Sequence, residues 1–188
     1  MKNKTDIIWL DSAESSNDEA RKAIDSLDNL SVIAVRHQKK GRGQGDHQWC
    51  TAPGRNLTFS IILKDLHIPA AVLPEISLET ARSVVDFLAT YGISARIKLP
   101  NDVYVGEKKI CGILIENSLK GGLLNWSIIG VGINVHQNSW PEWIPNPTSM
   151  TLESDIKEIP LELLLKEFLS IIISRINVLI SQIGRAHV

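Results

Sequence analysis

Cysteine is scarce: the 188 residues contain only Cys50 and Cys111. Two thiols without metal-ligand spacing build neither a disulfide framework nor a zinc site, so a reduced cytoplasmic interior is the default expectation. Net charge is almost absent as well. Twenty Lys and Arg against 21 Asp and Glu leave a formal −1, which argues against a general nucleic-acid binder. The first eleven residues lack the apolar run of a secretion signal. The greasiest stretch, 171–173, is flanked by Glu162, Lys166, Glu167 and Arg175; it is too short to cross a bilayer and reads as part of a buried helix. Two nucleotide motifs are missing. No G-x-x-x-x-G-K-[ST] occurs, and the glycine cluster at 41–45 precedes a strand rather than an amphipathic helix, which speaks against a Rossmann fingerprint. Repeats and low-complexity tracts are absent too.

What is present is an ordinary globular composition, 44% apolar and 22% charged, with enough length for one well-buried domain. Its most informative stretch is 36–63. Gly41, Gly43 and Gly45 alternate with Arg42 and Gln44, and Arg36, Lys39, Lys40 and Arg42 face only Asp46 over 36–48, a local +3 (four minus one). Glycine permits close backbone approach, and cations on such a loop suit an anionic small molecule, phosphate above all. Taken alone, the same stretch also reads as a solvated hairpin tip.

Around it the chain alternates strands and helices. Residues 7–10 form a short strand. Ser16 and Glu19 have capping-box spacing ahead of Ala20, Ala23, Ile24 and Leu27 at helical intervals. Ser15, Ser16 and Asn17 therefore start a helix, whose free N–H groups suit an anion. Residues 32–35 form a second strand, and 57–63 a third with period two. Pro74 opens a helix that Gly92 ends. Residues 94–97 lead into Lys98, Leu99, Pro100, Asn101 and Asp102, followed by a hairpin over 103–116. In the strand 123–135, Gly130, Gly132 and Asn134 share one face, leaving a bare trough with an amide at its end. Residues 136–160 form a polar, proline-rich loop with Trp140 and Trp143, and 161–180 form the last helix. The hexapeptide 183–188 matches what a sequencing-adapter read-through would encode. The expected domain is therefore 1–182, with a natural chain continuing past Gln182 and 183–188 set aside as a non-native tail. The expected fold is a single α+β domain: a mixed, largely antiparallel sheet with helices on one side.

Six stretches together resemble biotin protein ligases. They are Glu14 to Asn17; Gln38 with Gly41 to Gly45 and Trp49; Pro53 to Leu57; Lys98 to Asp102; Lys108 to Glu116; and Gly130 to Val135. Their order and spacing across 14–135 carry the resemblance, since each alone is weak. It implies a class II synthetase-like catalytic domain that uses ATP, biotin and Mg²⁺. The biotin carboxylate attacks the α-phosphate to give biotinyl-5′-AMP and pyrophosphate. A lysine of a biotin carboxyl carrier protein domain then takes the biotin and releases AMP. Nucleic acid and membrane are not expected partners, and a homodimer is an allowed assembly.

The resemblance also implies roles. Lys98 would contact both the biotin carboxylate and the α-phosphate. Arg42 and the backbone of Gly41, Gly43 and Gln44 would hold the adenylate phosphate, with Trp49 closing the loop. Ser15, Ser16, Asn17 and Gln38 would bind the ends of biotin, and Gly112, Gly130 and Gly132 would leave room for its ring and chain. Lys109, Asn101 and Asn134 join the substrate set, and Asp102 would assist the metal or the incoming lysine. The chain departs from the usual G-R-G-R-x-G-R-x-W fingerprint at Gln44, Asp46 and His47, losing two cations and gaining an acid. Leu99 replaces a usual tryptophan. No helix-turn-helix precedes Ile7 and no small C-terminal β-barrel follows, so repressor activity is not expected. The alternatives are a lipoate–protein ligase and a silent module that binds biotin without activating it.

Overall fold

A computed structural model describes residues 5–186. Seven strands form one sheet in the order β1-β2-β5-β9-β8-β7-β6. They are β1 (Ile7–Leu10), β2 (Val32–Val35), β5 (Leu57–Lys64), β6 (Arg96–Lys98), β7 (Asp102–Val105), β8 (Lys108–Lys120) and β9 (Leu123–Ile133). Only β1 and β2 run parallel; every other neighbouring pair is antiparallel, as the hairpin-rich second half requires. The glycine-rich stretch folds apart from this sheet as a two-stranded hairpin, β3 (Gly41–Arg42) with β4 (Gln48–Trp49).

Two long helices, α2 (Leu73–Ala89) and α4 (Leu161–Ala186), cover one sheet face, and a one-turn helix, α3 (Met150–Glu153), interrupts the proline-rich loop. The main core lies between that face and the two long helices. Leu57, Phe59, Ile61 and Leu63 of β5 and Ile129, Val131 and Ile133 of β9 meet Val84, Phe87, Phe168 and Ile172 there. Phe168 anchors the junction, with its ring centroid 5.4 Å from Phe59 and 5.7 Å from Phe87, both edge-on.

The opposite face carries a feature beyond the expected one-sided covering. The short helix α1 (Ser16–Lys22) sits there, with Ala20 against Ile33, Val35, Ile62 and Ile128. It ends at Lys22 rather than running to Leu27, although Ala23, Ile24 and Leu27 still pack on the same cluster through turns. Strand β5 is consequently buried on both faces, and its period two divides apolar from small polar contacts rather than core from solvent. The last helix was expected to stop at Ile180, but α4 runs through 183–186; of the hexapeptide set aside, His187 and Val188 lie outside the described residues. Among the described residues no helix is long and apolar enough to cross a membrane.

Phe168 bridges two aromatic partners at zero exposure. Phe168→Ala is therefore expected to cost about 3–5 kcal/mol in urea unfolding. A loss below about 1 kcal/mol would show that α4 is not keyed into the sheet through this ring.

Candidate active site

Register places the site. Lys98 pairs with Asp102, Asp102 with Gly112, Gly112 with Gly132, and Gly132 with Thr58, so these five share one face across β6, β7, β8, β9 and β5. The next row on that face runs Leu114, Gly130, Ser60 and Ile33. This is the face on which α1 lies and over which the β3–β4 hairpin folds as a flap. The flap closes through Gly43 N–H donating to the His47 carbonyl at 2.7 Å, with Gly45 in the left-handed region at φ 62°.

A cleft of about 230 Å³ lies between flap and sheet. Its closed end is polar. The Ser16 N–H donates to Gln38 Oε1 at 2.6 Å, so Gln38, not the expected capping box, satisfies the start of α1; Ser15 is the N-cap residue and makes no side-chain cap bond. That bond also removes a helix-start N–H expected to be free for an anion. Ser60 Oγ lies 2.8 Å from Ser16 Oγ and donates to Asn17 Oδ1 at 2.6 Å, and the Asn17 Nδ2 donates to Glu116 Oε2 at 2.8 Å. Ser15, Ser16, Asn17 and Gln38 are buried together.

The trough is not bare. Its missing side chains make room for the protein's own groups: a Cβ on Gly132 would lie 2.5 Å from the Trp49 ring, one on Gly112 3.1 Å from the same indole, and one on Gly130 would collide with the Asn17 amide. Trp49 therefore rests on β8 and β9 and divides the cleft from a second cavity of about 260 Å³. This second lobe has aromatic and proline walls from Tyr104, Trp140, Ile144, Pro145 and Pro147. A β-bulge at Val103/Tyr104 sets Tyr104 opposite Lys109. Asn134 lines this second lobe rather than the first, its Nδ2 donating to the Thr148 carbonyl at 2.9 Å. Its Oδ1 and the Trp49 Nε1 are buried without a partner, which marks the cleft as built for further polar contacts.

Asp102 and Lys109 line both lobes and form an ion pair at 2.7 Å. Lys109 Nζ also lies 5.8 Å from the Trp49 ring centroid. Two placements bear on the expected roles. Lys98 shares the face but is exposed, its Nζ sits 4.6 Å from the Tyr104 centroid, and it lines neither lobe. The cation at the junction is Lys109. Asp102, expected as a metal ligand, is committed to that ammonium, and among the described residues no three His, Cys, Asp or Glu converge as a metal site. In the flap itself Gly41 pairs with Trp49 in the hairpin, and the Gly43 N–H donates to the His47 carbonyl. Gly43 and Gln44 still line the cleft, and Asn101 does so while its Nδ2 bonds the Ile113 carbonyl at 2.7 Å.

Arg42 does not project freely. Its guanidinium donates to Asp18 at 2.7 Å and to Glu116 at 2.9 and 3.2 Å, latching the flap to α1 and β8. Arg21 pairs with the same Glu116. Burial pushes the Glu116 carboxyl up, but hydrogen bonds from Arg42 and Asn17, with the charges of Arg42 and Arg21, outweigh it and hold the group below its ordinary value. Sequence reasoning gave no role to Glu116, Ser60 or the walls of the second lobe. Ser60 could have been found as a hydroxyl inside an otherwise apolar central strand, and the walls from the tryptophans and prolines clustered in 136–160.

Fold and cleft together give a two-lobed site across the sheet, polar at one end and aromatic at the other, with a cation at the junction. A model of the biotin/lipoate A/B protein ligase family matches residues 9–134, and the chain belongs to that family. It is 36% identical over 110 residues to the bifunctional ligase/repressor BirA of Bacillus spizizenii (58% of this chain, 34% of the relative). With the biotin–[acetyl-CoA-carboxylase] ligase of Paracoccus denitrificans it shares 31% identity over 125 residues (65% and 51%). The chain thus spans about a third to a half of the curated relatives it matches. The biotin protein ligase of Aquifex aeolicus in complex with biotin and ATP superposes with a TM-score of 0.77 at 27% identity, covering 93% of this chain and 71% of that one. That of Leishmania major with biotinyl-5-AMP gives 0.71 at 26% identity (90% and 74%). The sheet is accordingly of the class II synthetase-like kind.

Two outcomes test this geometry. Gly132→Val is expected to expel the Trp49 indole from its seat and weaken ligand binding at least tenfold by calorimetry, with the circular-dichroism spectrum retained; unchanged binding would contradict the seating. The Glu116 charge adds stability that is complete above the ordinary carboxyl value of 4.5 and is lost as pH falls through its lowered value. Below pH 4.5 the melting temperature of the parent should therefore fall more steeply than that of Glu116→Gln, and parallel curves would contradict the latch.

Proposed function

We propose that this chain is the catalytic part of an ATP-dependent biotin protein ligase working in a reducing cytoplasm. The observation that carries the reading is the pair of lobes meeting at Lys109 under Trp49. A ureido ring needs donors and acceptors, which Ser16, Asn17 and Gln38 offer at the closed end. A purine needs a flat apolar berth, which Trp140, Tyr104 and the prolines offer in the second lobe. Between them the carboxylate and α-phosphate come together as two anions, and Lys109 offsets the charge that builds there. A carboxylate oxygen bonds to the α-phosphorus and pyrophosphate leaves. The ε-amine of a carrier-domain lysine then attacks the acyl carbon, and AMP departs. Trp49 and the flap keep water from the mixed anhydride in the interval.

Release of Arg42 from Asp18 and Glu116 would free a cation for the phosphate, which gives the flap two arrangements. Among the described residues no three His, Cys, Asp or Glu converge as a cage, so Mg²⁺ would travel with the ATP phosphates. The polar closed end favours biotin over lipoate, whose dithiolane ring offers no hydrogen-bonding group to match it. The acetyl-CoA carboxylase named for the Paracoccus relative suggests a biotin carboxyl carrier domain as acceptor.

Purified protein with ATP, biotin and a carrier domain is expected to release pyrophosphate and add one biotinyl group (biotin less one water) to the carrier. Lys109→Ala should slow adenylate formation by about 10²–10³-fold. Lys98→Ala should slow it less, because that amine lies outside both lobes. Biotin binding without pyrophosphate release would defeat the enzymatic reading, and a larger loss in Lys98→Ala than in Lys109→Ala would return the central role to Lys98.

A further inference from the structure

We infer that Glu116 is a positioning residue that fixes the hydrogen-bond polarity of the closed end and couples it to the flap. The Asn17 amide could in principle sit either way round, and only its surroundings decide which end meets a ligand. Its Nδ2 lies 2.8 Å from Glu116 Oε2 and 3.2 Å from the Leu114 carbonyl, both pure acceptors. Its Oδ1 therefore turns toward Ser60 and Gly130, the ligand side. From there the chain of bonds reaches Ser16 through Ser60, and Ser16 N–H holds Gln38 with its Oε1 inward, leaving the Gln38 Nε2 as the outward donor. One carboxylate thus orders an acceptor at Asn17 and, through Ser60, reaches the Ser16 hydroxyl, while the Ser16 backbone N–H sets Gln38 separately.

The same carboxylate serves the flap. Oε1 accepts from Arg21 and from Arg42 Nη1, and Oε2 accepts from Asn17 Nδ2 and Arg42 Nη2. Four donors converge on two oxygens, which only an ionised carboxylate satisfies. An amide of the same shape has one acceptor oxygen and turns its N–H₂ against a donor. It must either abandon Arg42 or force the Asn17 amide over, so recognition of the ring and closure of the flap cannot both survive. Glu116 touches neither the cleft nor a reacting atom; it acts through Asn17 and Arg42.

This inference rests on the biotin-ligase reading, and calorimetry separates the two. The parent is expected to bind biotin, and Glu116→Gln to bind it at least tenfold more weakly, with kcat for adenylate formation at saturating biotin changing by a smaller factor. Asn17→Asp sets two carboxylates against each other, so adding Glu116→Gln to it should improve binding. The sign of the Glu116→Gln effect reverses between the two backgrounds, an outcome that a merely structural residue does not produce. Glu116→Asp, which keeps both oxygens, is the second variant should Glu116→Gln fold poorly, and should lose less affinity than Glu116→Ala. A parent that does not bind biotin would overturn the functional reading and this inference with it. A parent that binds while Glu116→Gln matches it within twofold, or a Glu116→Gln change that harms both backgrounds alike, would overturn this inference alone.

Discussion

The contact on which the site depends is the Trp49 indole lying flat on backbone that has no side chains. Gly112 and Gly132 are register partners on adjacent strands, and together they make a seat that a Cβ on Gly132 would block and one on Gly112 would crowd. The ring reaches that seat because β4 ends a tight hairpin whose other strand carries Arg42. Seating the ring and latching the arginine are therefore two ends of one rigid-body placement. With the indole down, one open furrow becomes two lobes with different linings, and the Asp102–Lys109 pair lies where they meet.

Charge is distributed to match. The flap brings three glycines and Arg42, but that arginine is already neutralised by Asp18 and Glu116, so the +3 counted along the sequence is not presented to the cleft. Lys40 is likewise paired with Glu14, on the outer side of the hairpin. Lys109, half-buried and shared with a single carboxylate, lines the cleft beside Arg42, which is shared between two. A charge sum over a loop reports what residues it carries, and only packing reports which of them face the ligand. That difference separates a general anion-attracting surface from a site able to stabilise charge at one atom.

The sequence made the strands, the two long helices and the residues of the closed end legible, because period two, period 3.6 and glycine punctuation are local signals. Gly130 and Gly132 were correctly assigned to one face from alternation alone. What fills that face was not legible, since Trp49 and Asn17 arrive from elements 83 and 113 positions away from Gly132 and Gly130 (132 − 49 and 130 − 17). Lys98 was ranked ahead of Lys109 for the same reason. Both follow strand-like patterns, and a bulge at Val103/Tyr104 with the turn of the Tyr104 ring decides which ammonium meets the cleft. Glu116 was quoted as part of a motif yet given no task, because its partners lie on α1 and the flap.

The most direct measurement is a crystal structure of this chain with biotinyl-5′-AMP. The account predicts the ureido ring against Asn17, Ser16 and Gln38, the adenine between Tyr104 and Trp140, and the acyl phosphate within hydrogen-bonding reach of Lys109, with Trp49 still on Gly132. An adenylate lying the other way round, or bound with its phosphate at Lys98 and the second lobe empty, would contradict it.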